Sequence, residues 1–245
     1  MTNGEWMQKE AFEDQKTLAP EAGHHGGKIK RYSGLTEEVF KRLRANIMSM
    51  KIAPDTRISV DHLARELGVS QTPVREALSM LEVTGLVTKR HSIGYCTAPK
   101  FNREQYRKLF ELRALIEPHA ARRAAESISQ PTLNRLRALI DLMEPEGVVG
   151  SSTTSYELFA DQDSEFHDLI AVAGDNILIA QVLDRLHTHL HIFRIAVQSN
   201  YATEAKREHV LIIRALESHD SDGAEKAMRH HIESAFQRLI PFMDD

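Results

Sequence analysis

The stretch Leu63-Ala64-Arg65-Glu66-Leu67-Gly68-Val69-Ser70-Gln71-Thr72-Pro73-Val74-Arg75-Glu76-Ala77-Leu78 decides the fold. Helical periodicity over Val60–Leu67 stops at Gly68, a residue suited to a left-handed cap. A second helix starts at once. Ser70 offers a capping hydroxyl, and Pro73 is tolerated in the first turn because its missing N–H would have no partner there. Val74, Ala77, Leu78 and Leu81 make the inner face. A turn as short as Gly68-Val69-Ser70 holds two helices at a steep angle, as a helix-turn-helix requires.

The flanks complete the unit. Upstream, Val39, Phe40, Leu43, Ile47 and Met50 repeat at helical spacing from Leu35, and Pro54-Asp55 stops that helix. Downstream, Gly85-Leu86-Val87-Thr88-Lys89-Arg90 and Gly94-Tyr95-Cys96-Thr97 bracket a short polar turn and read as a hairpin. Cys96 falls in the second strand as a packing residue. Three helices and a hairpin within residues 32–98 describe a winged helix-turn-helix.

In that arrangement the N-terminal end of the second helix enters the major groove. Gln71, Thr72, Arg75 and Glu76 are left facing solvent there, with Ser70 at the cap. Arg75 can fork to the O6 and N7 of guanine, Gln71 can pair with adenine, and Thr72 can serve a phosphate or a thymine methyl. Lys89, Arg90 and His91 lie at the hairpin turn, placed for backbone phosphates or the minor groove. Ion pairing of Arg75 with Glu76 or Glu82 on a solvated face is the competing role for that side chain.

Charge divides along the chain in the same sense. The 245 residues carry a net charge of −4. Residues 32–100 hold 10 Lys/Arg against 7 Asp/Glu, while residues 101–245 hold 16 against 23 and 9 of the 13 histidines. A mildly basic module followed by an acidic, histidine-rich one points to a nucleic-acid partner for the first. The single cysteine excludes an internal disulfide and a cysteine-based zinc cluster. No apolar run is long enough for a membrane helix and no N-terminal signal is legible, so a cytoplasmic protein, associated with the nucleoid when bound to DNA, is expected. Residues 1–31 show no apolar period and read as a flexible arm, in which His24 and His25 are more simply solvated than metal-bound.

Beyond a linker at 99–103 only helical periodicity remains, over about 103–127, 131–144, 153–173, 176–198, 203–218 and 221–240, so residues 104–241 form an all-helical bundle. No glycine-rich phosphate loop or strand alternation supports a nucleotide-dependent enzyme. Asp163 and His167 are four residues apart and share one helix face, while His209 and His231 fall on separate helices. One carboxylate and three imidazoles suit a divalent ion, with zinc first and nickel, iron or manganese as alternatives. Spacing alone leaves other histidines open. His187 and His191 share a face, His189 lies opposite, His230 points away from His231, and His119 and His219 have no evident partner.

The residues quoted at the start, with Leu81-Glu82 and Gly85-Leu86-Val87, resemble the signature of GntR-family bacterial transcription regulators. The helical half is similar to the FCD effector domain of the FadR subfamily, through Phe110-Glu111-Leu112-Arg113-Ala114-Leu115-Ile116-Glu117, Asp163-x-x-Phe166-His167, Glu208-His209 and Ala227-x-x-x-His231-Ile232. The resemblance implies a homodimer on a short palindromic operator, with Thr72, Arg75 and the position of Gln71 reading bases. It also implies a divalent ion held by Asp163, His167, His209 and His231 beneath an effector pocket, which Arg113 can face to meet an effector carboxylate. A salt bridge from Arg113 to Glu117 is the competing role. Two positions depart from the family pattern: Gln71 and Asp61 each stand where arginine is common, so an operator with adenine in place of guanine is expected. The implied function is a ligand-responsive regulator, expected to be a repressor released by a small carboxylate metabolite. A metal-dependent hydrolase and a pure metal sensor are the alternatives that the Asp/His/His/His set leaves open.

Overall fold

Why the chain turns where it does is clearest at Gly68. In the computed structural model, which describes residues 34–143, 153–186, 191–192 and 201–243, helix α2 (Val60–Leu67) ends on Gly68 at φ 67°. The N–H groups of Gly68 and Val69 then reach back to the carbonyls of Arg65 and Ala64 at 3.3 and 2.9 Å. That left-handed closure satisfies the last turn and launches helix α3 (Gln71–Val83) after two residues. Helix α1 (Gly34–Met48) packs against α3, joining Leu43 and Ile47 to Val74, Ala77, Leu78 and Leu81 in one buried cluster.

Strands β2 (Val87–Arg90) and β3 (Gly94–Thr97) form the expected hairpin, with Ser92 and Gly94 at positive φ around its tip. The sheet has a third strand that periodicity does not reveal. Strand β1 (Arg57–Ile58) pairs antiparallel with β3, giving the order β1-β3-β2. Two residues are too short to display a period of two. Two other expectations are corrected. α1 stops at Met48, which is buried, so Met50 turns out at φ 61° and is 36% exposed instead of joining the core. Ser70 has the extended backbone of an N-cap, yet its hydroxyl makes no capping hydrogen bond.

The rest of the described chain is helical: α4 (Arg103–Ser127), α5 (Gln130–Leu142), α6 (Thr153–Ala173), α7 (Ile177–Arg185), α8 (Tyr201–Glu217) and α9 (Ser221–Leu239), then a 3₁₀ turn at Ile240–Phe242. Winged helix-turn-helix followed by an all-helical half is therefore the fold. Of the helix expected over 176–198, α7 and helical residues 191–192 are described. The arm at 1–31 with His24 and His25, and His187 and His189, lie outside the described residues. No helix among the described residues is long and apolar enough to cross a membrane.

α4 is the axis of the helical half, packed against α6, α8 and α9. It opens with a capping box, Asn102 accepting from the Gln105 N–H at 2.9 Å while Gln105 accepts from Asn102 at 3.0 Å. Pro118 sits inside it, buried. Proline cannot donate to the carbonyl of Ala114 four residues back, and Arg229 of α9 supplies the replacement at 3.0 Å. Gly174 closes α6 against this axis. A Cβ there would stand 2.6 Å from the Ala120 carbonyl oxygen, so the turn into α7 needs the missing side chain.

Candidate nucleic-acid interface and metal centre

On α3 the buried face removes Pro73, Val74, Ala77, Leu78 and Leu81, leaving Ser70, Gln71, Thr72 and Arg75 exposed side by side. Arg75 pairs with neither Glu76 nor Glu82: its Nη2 donates to Gln71 Oε1 at 3.2 Å, one turn back. Glu76 does not face solvent as expected. It is half-buried and accepts a hydrogen bond from Thr36 Oγ1 of α1 at 2.9 Å, because α1 covers that side of the helix. In the wing, Lys89 and His91 are exposed, and the Lys89 ammonium lies 5.7 Å from the centre of the Tyr95 ring. Arg90 is half-buried and ion-paired with Asp55.

In the helical half, α6 places Asp163 and His167, α8 places His209 and α9 places His231, all fully or almost fully buried. One donor atom from each falls within 4.8 Å of all the others. A tetrahedral shell with bonds of about 2.1 Å would space its donors ~3.4 Å apart, and an octahedral one would put trans donors ~4.2 Å apart, so the cluster closes on an ion with small movements. His209 Nε2 is 3.4 Å from Asp163 Oδ1, and Phe166 stacks on the His209 ring at 4.1 Å.

Carboxylates behind two of the imidazoles set which nitrogen faces the centre. Glu208 takes the Nδ1 hydrogen of His231 at 2.8 Å, leaving His231 Nε2 buried without a hydrogen-bond partner. Glu117 of α4 stands 2.5 Å from Nδ1 of His167. Each carboxylate is itself gripped by an arginine. Arg238 holds Glu208 with two hydrogen bonds of 2.6 and 2.8 Å, and Arg113 Nε holds Glu117 at 2.5 Å. Such outer partners orient metal-binding histidines and raise their basicity. A buried imidazole nitrogen with no partner costs free energy, which a cation would recover. The residues therefore fit a divalent ion.

Electrostatics agree. Burial pushes the His167 ring down to about 4, outweighing the pull of Glu117, so the ring is neutral and able to donate a lone pair. Burial would raise the Glu117 carboxyl, but Arg113 and His167 hold it well below the usual carboxylate range. For Glu208 burial is likewise overcome, by the hydrogen bonds from His231 and Arg238.

Arg113 is fully buried, and its salt bridge to Glu117 is formed. Its Nη1 has no hydrogen-bond partner and remains able to meet an anion. His191 stacks on Phe101 at 3.7 Å and is not among the converging donors, while His119 and His230 are exposed. His219 Nδ1 lies 2.8 Å from the Ala125 carbonyl. Sequence reasoning gave no role to Glu208 or Arg238, and saw Glu117 only as an arginine's partner. One signal was present: Arg113 and Glu117 are charges on the otherwise apolar inner stripe of α4.

A three-helix unit with an exposed polar reading edge and a wing, followed by a helical half, defines a DNA-binding transcription regulator. Residues 35–96 match the gntR family of bacterial regulatory proteins and residues 108–234 match the FCD domain, and the chain belongs to this family. It is similar to the Uxu operon transcriptional regulator of Escherichia coli, 30% identical over 233 residues that cover 84% of this chain and 87% of that protein. It is also similar to the HTH-type transcriptional repressor RspR of Escherichia coli, 26% identical over 201 residues covering 81% and 86%. The solved structure of E. coli McbR/YncC shares the fold, with a TM-score of 0.62 at 18% identity, covering 84% of this chain and 97% of that one. Family and relatives are regulators and not enzymes, which removes the hydrolase alternative.

Proposed function

We propose that this regulator is a repressor whose operator binding responds to a small carboxylate-bearing metabolite, bound beside a divalent cation in the helical half. Asp163, His167, His209 and His231 hold the ion, with zinc favoured by the nitrogen-rich set and nickel, iron or manganese also compatible. The observation that carries the reading is the unpartnered His231 Nε2, turned by Glu208 toward three other buried donors within 4.8 Å. When bound, the ion would supply a Lewis-acidic positive centre that attracts an anionic ligand.

Charge supports an anionic effector. Asp163, Glu117 and Glu208 are set against Arg113 and Arg238, and a divalent ion makes the centre positive. Arg113 Nη1 adds a buried donor for a carboxylate. A homodimer would set the spacing of two α3 helices on a palindromic operator, with Ser70, Gln71, Thr72 and Arg75 at the major groove and Lys89, Arg90 and His91 at the backbone. Effector and operator then compete through two spacings of the winged units, and their affinities are reciprocally coupled. The domain limits are those read from the sequence: winged helix-turn-helix unit 32–98, linker 99–103 and effector half 104–241.

The test is a thermal-shift screen of metabolite carboxylates on zinc-loaded and chelator-treated protein, followed by DNA binding with each hit. A hit that requires the ion and weakens operator binding is expected. Metal removal that by itself releases DNA, with no responsive metabolite, would replace this reading with a pure metal sensor.

A further inference from the structure

Helix α6 faces two ways. Asp163 and His167 point into the helical half, while Asp161 and Glu165, offset by two residues or roughly 200° around the helix, point out. Each outward carboxylate grips an arginine of another element with two hydrogen bonds. Glu165 holds Arg135 of α5 at 2.5 and 2.6 Å. Asp161 holds Arg44 of α1, one of the two bonds measuring 2.9 Å. α1 is in turn fastened to the reading helix, by the shared core around Leu43 and Ile47 and by the bond from Thr36 to Glu76, the neighbour of Arg75. A continuous path of contacts thus runs from the candidate metal donors to the DNA-reading edge, and it crosses between the two halves at one planar ion pair.

We propose that Arg44 and Asp161 are positioning residues for DNA binding: their bidentate pair holds the reading unit at a fixed attitude to α6, so that a shift of α6 reaches α3 through α1. The DNA-binding half of this inference rests on the family and the fold alone. Its regulatory half rests on the proposed ion at Asp163 and His167, whose helix is the one that carries Asp161. Isolated exposed ion pairs contribute little, and Asp161 is 57% exposed, but the Arg44 side chain is 23% exposed and its two-pronged geometry with the carboxylate fixes direction as well as distance.

Asp161→Asn separates positioning from simple charge, because the two act with opposite sign. Removing a carboxylate makes the chain less negative and by charge alone tightens its hold on DNA. Loss of positioning weakens it. With the full-length protein and a duplex recovered by selection from a random pool, at fixed salt, Asp161→Asn and Arg44→Gln are each expected to bind about fivefold more weakly than the unaltered chain. The charge-swapped double variant, Arg44→Asp with Asp161→Arg, is expected to bind more tightly than Arg44→Asp alone. Zn²⁺ affinity, read by competition with a chelating dye, should stay within about twofold of the unaltered chain in Asp161→Asn, since that side chain faces away from the donors. Equal or tighter DNA binding by Asp161→Asn, a swap that recovers nothing, or a collapse of Zn²⁺ affinity in that variant would each overturn the assignment. If the unaltered chain takes up no Zn²⁺ while Asp161→Asn still weakens DNA binding, the positioning contact stands and the metal reading falls.

Discussion

Acid should unfold the metal-free protein through His167. In an unfolded chain this ring takes up a proton near 6.5, whereas burial against α4, α8 and α9 delays uptake in the folded protein to about 4. Between those values the unfolded state binds more protons, so stability falls as pH falls. For one group with those two constants the loss at pH 5 is about 2 kcal/mol, approaching ~3 kcal/mol near pH 4, and there is no effect above pH 7. Glu117 acts in the same direction further down. Its carboxyl is held below its ordinary value, so its contribution is present above about 4.5 and is lost as pH drops below that. The assay is urea unfolding of chelator-treated protein, followed by circular dichroism at pH 7.5 and 5.0, beside His167→Gln, which cannot titrate. The variant should lose about 2 kcal/mol less than the unaltered chain over that interval. Parallel pH profiles for the two would show that the ring is not buried and neutral, and would refute the reasoning. Saturating Zn²⁺ should protect the unaltered chain at pH 5, because a ring bound to metal through its lone pair cannot be protonated.

Glu117→Gln and Glu208→Gln should each weaken Zn²⁺ binding roughly 10- to 100-fold by removing the partner that orients an imidazole, measured by chelator competition; unchanged affinity in both would mean that the carboxylates do not serve the ion. Gly174→Ala must push a Cβ against the Ala120 carbonyl oxygen, 2.6 Å away, so a lower melting temperature with a loss on the order of 1–3 kcal/mol is expected. Lys89→Ala, removing an exposed wing cation, should reduce the slope of log affinity against log salt by about one and leave the sequence preference intact. Arg75→Ala should do the converse, costing roughly 1–3 kcal/mol at the preferred site and much less on unrelated duplexes, as read by competition binding.

Much of the fold was legible because its signals are local. The stop at Gly68, the start after Ser70 and the apolar spacing of Val74, Ala77, Leu78 and Leu81 depend on residues within a turn or two of each other. Where local reading failed, a distant contact had decided. Strand β1 exists because β3 offers a free edge, Glu76 is turned from solvent because α1 lies over it, and Arg90 is held by Asp55 across 35 positions of sequence. At the candidate metal centre the Asp163–His167 pair was visible from spacing, since four residues along a helix share a face. His209 and His231 were singled out only by resemblance to a family, because no periodicity says which faces of three separate helices converge.

By itself, then, the amino-acid sequence determined the helices and the hairpin of the winged unit, the stop at Gly68, the exposed polar edge at Gln71, Thr72 and Arg75, and the types of donor available for an ion. Those follow from backbone sterics and from helical periods that act within a few residues. Tertiary structure alone decided which donors meet and which carboxylate stands behind which imidazole. It also decided that Arg44 reaches Asp161, 117 positions away. Partners that far apart are chosen when apolar faces pack and exclude water. Only in the packed interior does a buried charge or imidazole nitrogen require a particular neighbour.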